Sequence, residues 1–83
     1  MNIIVTLCDY NKSFTYDLEV PVMQTIDTLT DDIVEVLSEA NVHLINKKPL
    51  FYVPRLKRVL NTYETLGQAG VWNGDYLVIV EHG

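Results

Sequence analysis

Phe14-Thr15-Tyr16-Asp17-Leu18-Glu19-Val20-Pro21 alternates apolar and polar residues without a slip up to its closing proline. Side chains of a strand alternate between two faces, so Phe14, Tyr16, Leu18 and Val20 share one face and the polar set faces water. Pro21 has no N–H to give to a ladder and ends the strand. Just upstream, residues 2–8 are β-branched and apolar, a strand by composition. The two runs are joined only by the turn cluster Asp9-Tyr10-Asn11-Lys12-Ser13, so together they read as an antiparallel hairpin.

Downstream of Pro21 the period changes from two to 3.6. Thr25 suits a helix N-cap, with Asp27 placed in the first turn to favour the helix dipole. Ile26, Leu29, Ile33, Val36, Leu37 and Ala40 then fall on one stripe. Asp27, Asp31, Asp32, Glu35 and Glu39 cover the other side, and Asn41 suits the stop. Leu50-Phe51-Tyr52-Val53 is a strand between Pro49 and Pro54, and Arg58-Val59-Leu60 reads as a short strand after a turn. Tyr63 to Ala69 holds a single helical turn, Asn73-Gly74-Asp75 is a turn signal, and Tyr76-Leu77-Val78-Ile79-Val80 is the last strand. The order β-β-α-β-β-β predicts an α+β fold, a four- or five-stranded sheet packed on one amphipathic helix.

Residues 1–83 are expected to form one domain, at the small end of what folds unaided. A core of that size leaves no room for a ligand-sized cavity, so neither a small-molecule substrate nor a cofactor is expected. One cysteine, Cys8, excludes an intramolecular disulfide framework and suits a reducing compartment. The longest apolar run, Tyr76 to Val80, is far short of the ~20 residues that cross a bilayer. Met1-Asn2 leads directly into Ile3-Ile4-Val5 without a basic leader. The expected location is the cytoplasm, with no membrane insertion.

The net charge of −5 is unevenly spread: residues 1–46 carry eight acids and only Lys12 as a base. Lys47, Lys48, Arg55, Lys57 and Arg58 follow with no acid among them. Net acidity disfavours general nucleic-acid affinity, which rests on cations neutralising phosphates. Those five cations beside Phe51 and Tyr52 still resemble a single-strand RNA surface in miniature, a minor alternative.

The order and spacing of these pieces resemble ubiquitin over nearly the whole chain. Thr15 to Val20 resembles the second strand of that fold, and Thr25-Ile26-Asp27 with Leu29 and Ile33 resembles the start of its helix. Leu50-Phe51-Tyr52 stands where its third strand does. Thr65-Leu66, Gly70-Val71, Gly74-Asp75 and Leu77-Val78-Ile79 resemble its closing segment. The resemblance implies a ubiquitin-like β-grasp domain with a mixed sheet. Within that group the chain is similar to the YukD/EsaB family of small bacterial ubiquitin-like proteins associated with type VII (WXG-type) secretion. Asp9-Tyr10-Asn11, Tyr16 to Pro21 and Asn73-Gly74-Asp75 carry that likeness. It implies a cytoplasmic accessory or regulatory subunit whose partners are other proteins, components of the type VII secretion machinery. A generic ubiquitin-like docking module of another complex is the alternative. A carrier activated at its C-terminus would need a flexible Gly-Gly tail; Val80-Glu81-His82-Gly83 lacks one, so conjugation to targets is not expected.

The family pattern buries Leu77 and Ile79, which would turn Tyr76, Val78 and Val80 outward on the uncovered side of the sheet. The same parity argument would place Phe51 and Ile4 outward. Phe51, Val78, Val80, Ile4 and Tyr76, rimmed by Arg55, Lys57 and Arg58, are therefore the candidate protein-binding surface, an apolar centre with a charged border. A slip of one residue would exchange the two faces and make these side chains core. The acidic helix side, Asp31, Glu35 and Glu39, is a secondary candidate for a basic partner, and its plainer reading is a solvated face. Trp72 is expected to pack over the Asn73-Gly74 turn or the end of the core, with partner anchoring as the alternative.

No catalytic constellation is legible. Cys8 has no histidine near it, His43 follows the helix, and His82 lies at the end. Cys and His show no metal-ligand spacing. Carboxylates one helical turn apart do not surround a calcium ion. Neither an enzyme nor a metal protein is expected.

Overall fold

The computed structural model describes residues 1–81; His82 and Gly83, and with them the expectations resting on the chain end, lie outside the described residues. Strand β1 (Asn2–Asp9) pairs antiparallel with β2 (Thr15–Pro21) in an unbroken register, Ile3 opposite Val20 and Leu7 opposite Tyr16. The turn between them is held by Asp9. Its carboxylate accepts the Ser13 N–H at 2.6 Å and the Ser13 hydroxyl, and its carbonyl accepts the Lys12 N–H. Helix α1 (Ile26–Glu39) starts at an N-cap on Thr25 and stops where Asn41 enters the left-handed region at φ 62°. Strand β3 (Leu50–Val53), strand β4 (Arg58–Val59), the short helix α2 (Leu66–Ala69) and strand β5 (Tyr76–Val80) follow.

The sheet order is β2-β1-β5-β3-β4, with β1 and β5 parallel in the middle and antiparallel pairs outside them. This is the ubiquitin-like β-grasp. Parallel neighbours need a long crossover, and α1, β3, β4 and α2 together supply it. The helix start is pinned from outside: the Ile26 and Asp27 N–H groups donate to the Glu64 and Thr62 carbonyls at 2.8 and 2.9 Å. These are two of the donors that the first turn of any helix leaves without an internal acceptor. A capping box on Thr65 and Gln68 does the same for α2, which ends on Gly70 at φ 85°.

The core lies between α1 and one face of the sheet. Ile3, Val5 and Leu7 from β1, Leu77 and Ile79 from β5, and Ile26, Leu29, Ile33 and Leu37 from the helix are all buried. Two members of the expected helix stripe are not: Val36 is 44% exposed and Ala40 is exposed. Successive helical residues turn by about 100°, so Val36 sits at the flank of the stripe, towards β2. Thr30 takes a buried place instead, its hydroxyl donating to the Ile26 carbonyl at 2.7 Å.

The larger correction is in β3. Phe51 and Val53 point into the core, both fully buried, and Leu50 and Tyr52 turn to the open side. The expected outward placement of Phe51 is therefore reversed. The cause is register: Phe51 stands directly opposite Ile79, and residues opposite one another across a ladder share a face. Since Ile79 is inward, Phe51 is too. Sequence places both strands but does not state the stagger between them.

Candidate functional site

The uncovered face of the sheet is organised in rows that follow from the pairing. One row runs Thr15, Cys8, Val78, Tyr52, Val59 across all five strands, and beside it lie Asp17, Thr6 and Tyr76 on one side and Val80 with Leu50 on the other. The rows divide the face. On β2, and at Asn2 and Thr6 of β1, they are polar, with the Thr6 hydroxyl donating to Asp17 at 2.8 Å and the Asn2 amide to Glu19 at 3.0 Å. On β5, β3 and β4 they are apolar. Tyr76 is 44% and Val59 42% exposed, and Val78, Val80, Leu50 and Tyr52 are half-buried.

Of the sequence-predicted surface, Tyr76, Val78 and Val80 stand together as expected. Ile4 is also outward, opposite Glu19, but sits away from them beside the Asn73-Gly74 turn. There the Asn73 side chain accepts its N–H at 2.7 Å and the Gly74 N–H donates to its carbonyl at 2.7 Å. Phe51 is absent from the face; Tyr52, Leu50 and Val59 take the places that the parity argument misassigned. Once Leu50–Val80 and Tyr52–Val78 are known to be opposite pairs, these residues follow at once.

The expected basic rim is mostly spent elsewhere. Arg55 donates from Nε and Nη2 to the two oxygens of Asp75, at 2.7 and 2.8 Å, and from Nη2 to the Gly70 carbonyl. Asp75 is buried and also accepts the Trp72 N–H at 2.7 Å. The Arg55 guanidinium, then burial in the opposing sense, set the Asp75 carboxyl, with the net effect of holding it below the usual carboxylate range. Arg58 forms a two-pronged pair with Glu64 at 2.9 and 2.8 Å, which likewise lowers the Glu64 carboxyl. Lys57, at φ 55° in the turn between β3 and β4, has no salt-bridge partner among the described residues. The cation set against the open face is instead Lys12, whose Nζ lies 5.7 Å from the centroid of the Tyr76 ring. Nothing in local sequence joins Lys12 to Tyr76; the β1–β5 pairing does.

The same pairs engage three of the five cations of the miniature RNA surface. Lys48 bridges Asp31 at 2.8 Å and Asp27 at 3.7 Å, and Arg55 and Arg58 are engaged as described. Phe51 is unavailable for stacking. On the acidic helix side, Asp31 is thus partnered, whereas Glu35 and Glu39 are exposed and enter no salt bridge among the described residues.

Trp72 stands at the end of the core, one of its two expected places, but is not covered there. It is 67% exposed and lines an apolar hollow with Met1, Ile3, Val22 and Val71 at the end of the sheet. Its backbone N–H is tied to Asp75. Cys8 is fully buried, and burial pushes its thiol up, the direction that suppresses thiolate chemistry. Among the described residues no cluster of three or more His, Cys, Asp or Glu could hold a metal ion, and no helix is long and apolar enough to cross a membrane.

A sequence model of the family described as "WXG100 protein secretion system (Wss), protein YukD" matches residues 2–79. Among proteins of curated function no relative matches. Solved structures with the same fold include the ubiquitin-like domain of the Mycobacterium tuberculosis type VII secretion system protein EccD1. It is 25% identical, with a TM-score of 0.73, and the alignment covers 98% of this chain and 99% of that one. The EccD5 ubiquitin-like domain of Mycobacterium xenopi is 14% identical at a TM-score of 0.70, covering 100% and 99% of the two chains. A ubiquitin of Caldiarchaeum subterraneum is 19% identical at 0.73, covering 100% and 96%.

Proposed function

The chain belongs to the YukD family of the WXG100 protein secretion system, and on that premise we propose that it is a non-catalytic docking subunit that accompanies or regulates type VII secretion from the cytoplasm. It acts by contact, and the contact surface is the apolar half of the open sheet face. The observation that carries this reading is the continuous set Tyr76, Val78, Val80, Leu50, Tyr52 and Val59, contributed by three adjacent strands and covered by no helix or strand among the described residues. Apolar side chains that cluster in this way mark interaction sites far more than scattered ones do. Aromatic residues at the centre, here Tyr52 and Tyr76, supply large contact area with few rotatable bonds. Lys12 over the Tyr76 ring gives the face one cationic border. The likeness to EccD ubiquitin-like domains supports a partner among secretion components.

The test compares the wild type with the double variant Tyr76→Asp/Val59→Asp as bait in lysate of the source cells, with captured proteins identified by mass spectrometry. Both positions are well exposed, so circular dichroism should show an unchanged fold. Secretion components captured by the wild type and lost with the variant are the expected outcome. If the folded variant captures the same components, the face is wrong. If the wild type captures none, the secretion reading fails.

A further inference from the structure

Strand β2 is an edge, and its free side can be assigned atom by atom. Ile4 gives its N–H to Asn73 and its carbonyl to the Gly74 N–H, and Thr6 gives its N–H to the Asp75 carbonyl. Ile4 and Thr6 therefore turn their backbone groups towards β5, and Ile3, Val5 and Leu7 turn theirs towards β2. Their register partners Val20, Leu18 and Tyr16 take up those bonds. By the same alternation, the N–H and carbonyl groups of Thr15, Asp17 and Glu19 point away from β1, to an edge with no further strand among the described residues.

Alongside this edge, on the helix side, runs an apolar groove of about 140 Å³ lined by Leu18, Val20, Leu29, Ile33 and Val36. A cavity of ~150 Å³ holds a group the size of benzene, so the groove has room for one large aliphatic side chain. The exposure of Val36, which departs from the simple helix stripe, opens it. Glu19 and Asp32 also line it. Among the described residues neither acid enters a salt bridge: Asp32 accepts from the Gln24 amide, and the Glu19 carboxylate, turned to the open face, accepts from the Asn2 amide.

The geometry points to a strand-addition site: β2 accepts an extended segment of another protein in which lysine or arginine alternates with aliphatic residues. A residue opposite Leu18 drops into the groove between β2 and α1, and its neighbours stand opposite Asp17 and Glu19 on the other face, where opposite charges attract. The same acids reject a second copy of this chain, because β2 laid against β2 would set Asp17 and Glu19 beside their own kind. Pro21 limits the added strand to the Thr15–Glu19 stretch, since it has no N–H to offer. This site is separate from the open-face surface and stands or falls without it.

The probe is the acetylated, amidated peptide Thr-Val-Lys-Leu-Lys-Val-Thr, fluorescently labelled and titrated against the full chain by anisotropy. A second peptide with both lysines N-methylated on the backbone keeps the side chains and charges but loses the donors that pair with Asp17 and Glu19. Expected are saturable binding of the first peptide, a loss of about tenfold or more on N-methylation, and a similar loss with Val36→Lys or Glu19→Lys. Val59→Asp, at the far edge, should leave affinity within about twofold, because it shares no contact with the groove. In hydrogen-exchange NMR the Asp17 and Glu19 amides should become protected on binding. No saturation up to about 1 mM peptide overturns the proposal. So does equal binding of the N-methylated peptide, or amide changes centred on Tyr52 and Val59. Wild-type dimerisation through β2 in sedimentation would also overturn it.

Discussion

At the β4 edge the strand is two residues long, and the arginines on either side of its turn are bound to carboxylates of the same chain. At the β2 edge the strand is seven residues long, its acids enter no salt bridge among the described residues, and an apolar groove opens beside it. One edge uses charge to tie loops down; the other leaves charge facing outward. Electrostatics used internally stabilise the fold and are unavailable to a partner. Uncompensated charge stabilises nothing at rest and can select what binds. The position of a charge in sequence therefore says less about its role than the identity of its neighbour does. Arg55 and Arg58 look like a binding rim and act as fasteners.

The comparison predicts unequal sensitivity to mutation. Phe51→Ala, which empties the core under β3, should cost about 3–5 kcal/mol in urea denaturation. Val36→Lys, on α1 where it lines the groove beside β2, should change stability by no more than ~0.5 kcal/mol. A near-equal cost for the two would mean that the groove is closed core. Next in size, Asp75→Ala removes the acceptor shared by Arg55 and the Trp72 N–H, and a cost of about 1–3 kcal/mol is expected. Accompanying changes in the NMR signals of Gly70 and Trp72 would show that the loop is what it holds.

The smallest effect is on acid. The Asp75 and Glu64 carboxyls are lowered, in each case chiefly by the arginine hydrogen bond. The folded chain therefore releases these protons more readily than the unfolded chain does. Their stabilisation is complete above the unfolded values near ~4 and disappears as pH falls through the lowered folded values. Trp72 fluorescence followed from about pH 5 downward should report the loosening, and the Asp75→Asn variant should show a weaker acid response. An unchanged response would mean that the pair contributes no pH dependence at this edge.

Much of the fold was legible in the chain itself. The hairpin, the helix from Thr25 to Asn41, the Asn73-Gly74 turn and the final strand each follow from local rules: alternation, capping, and a glycine at φ 92° where a left-handed turn is required. The family likeness was legible for the same reason, because it rests on the order of such local signals. The parity of β1 and β5 came out correctly, placing Ile4, Tyr76, Val78 and Val80 on the open side. What failed was everything that depends on how two distant segments are staggered.

Phe51 and Tyr52 show the physical reason most clearly. Both are aromatic, both lie in one four-residue strand, and no local propensity says which faces the helix. A shift of one residue between β3 and β5 would exchange them, and only the pairing of Phe51 with Ile79 decides it. The engagement of Arg55 by Asp75, twenty residues away, and the approach of Lys12 to Tyr76 are decided in the same way. Periodicity, capping and turn chemistry act over a few residues, so the sequence alone determined the elements and their order. Register, ion-pair choice and the opening between β2 and α1 depend on packing the whole chain at once, and those the tertiary structure alone decided.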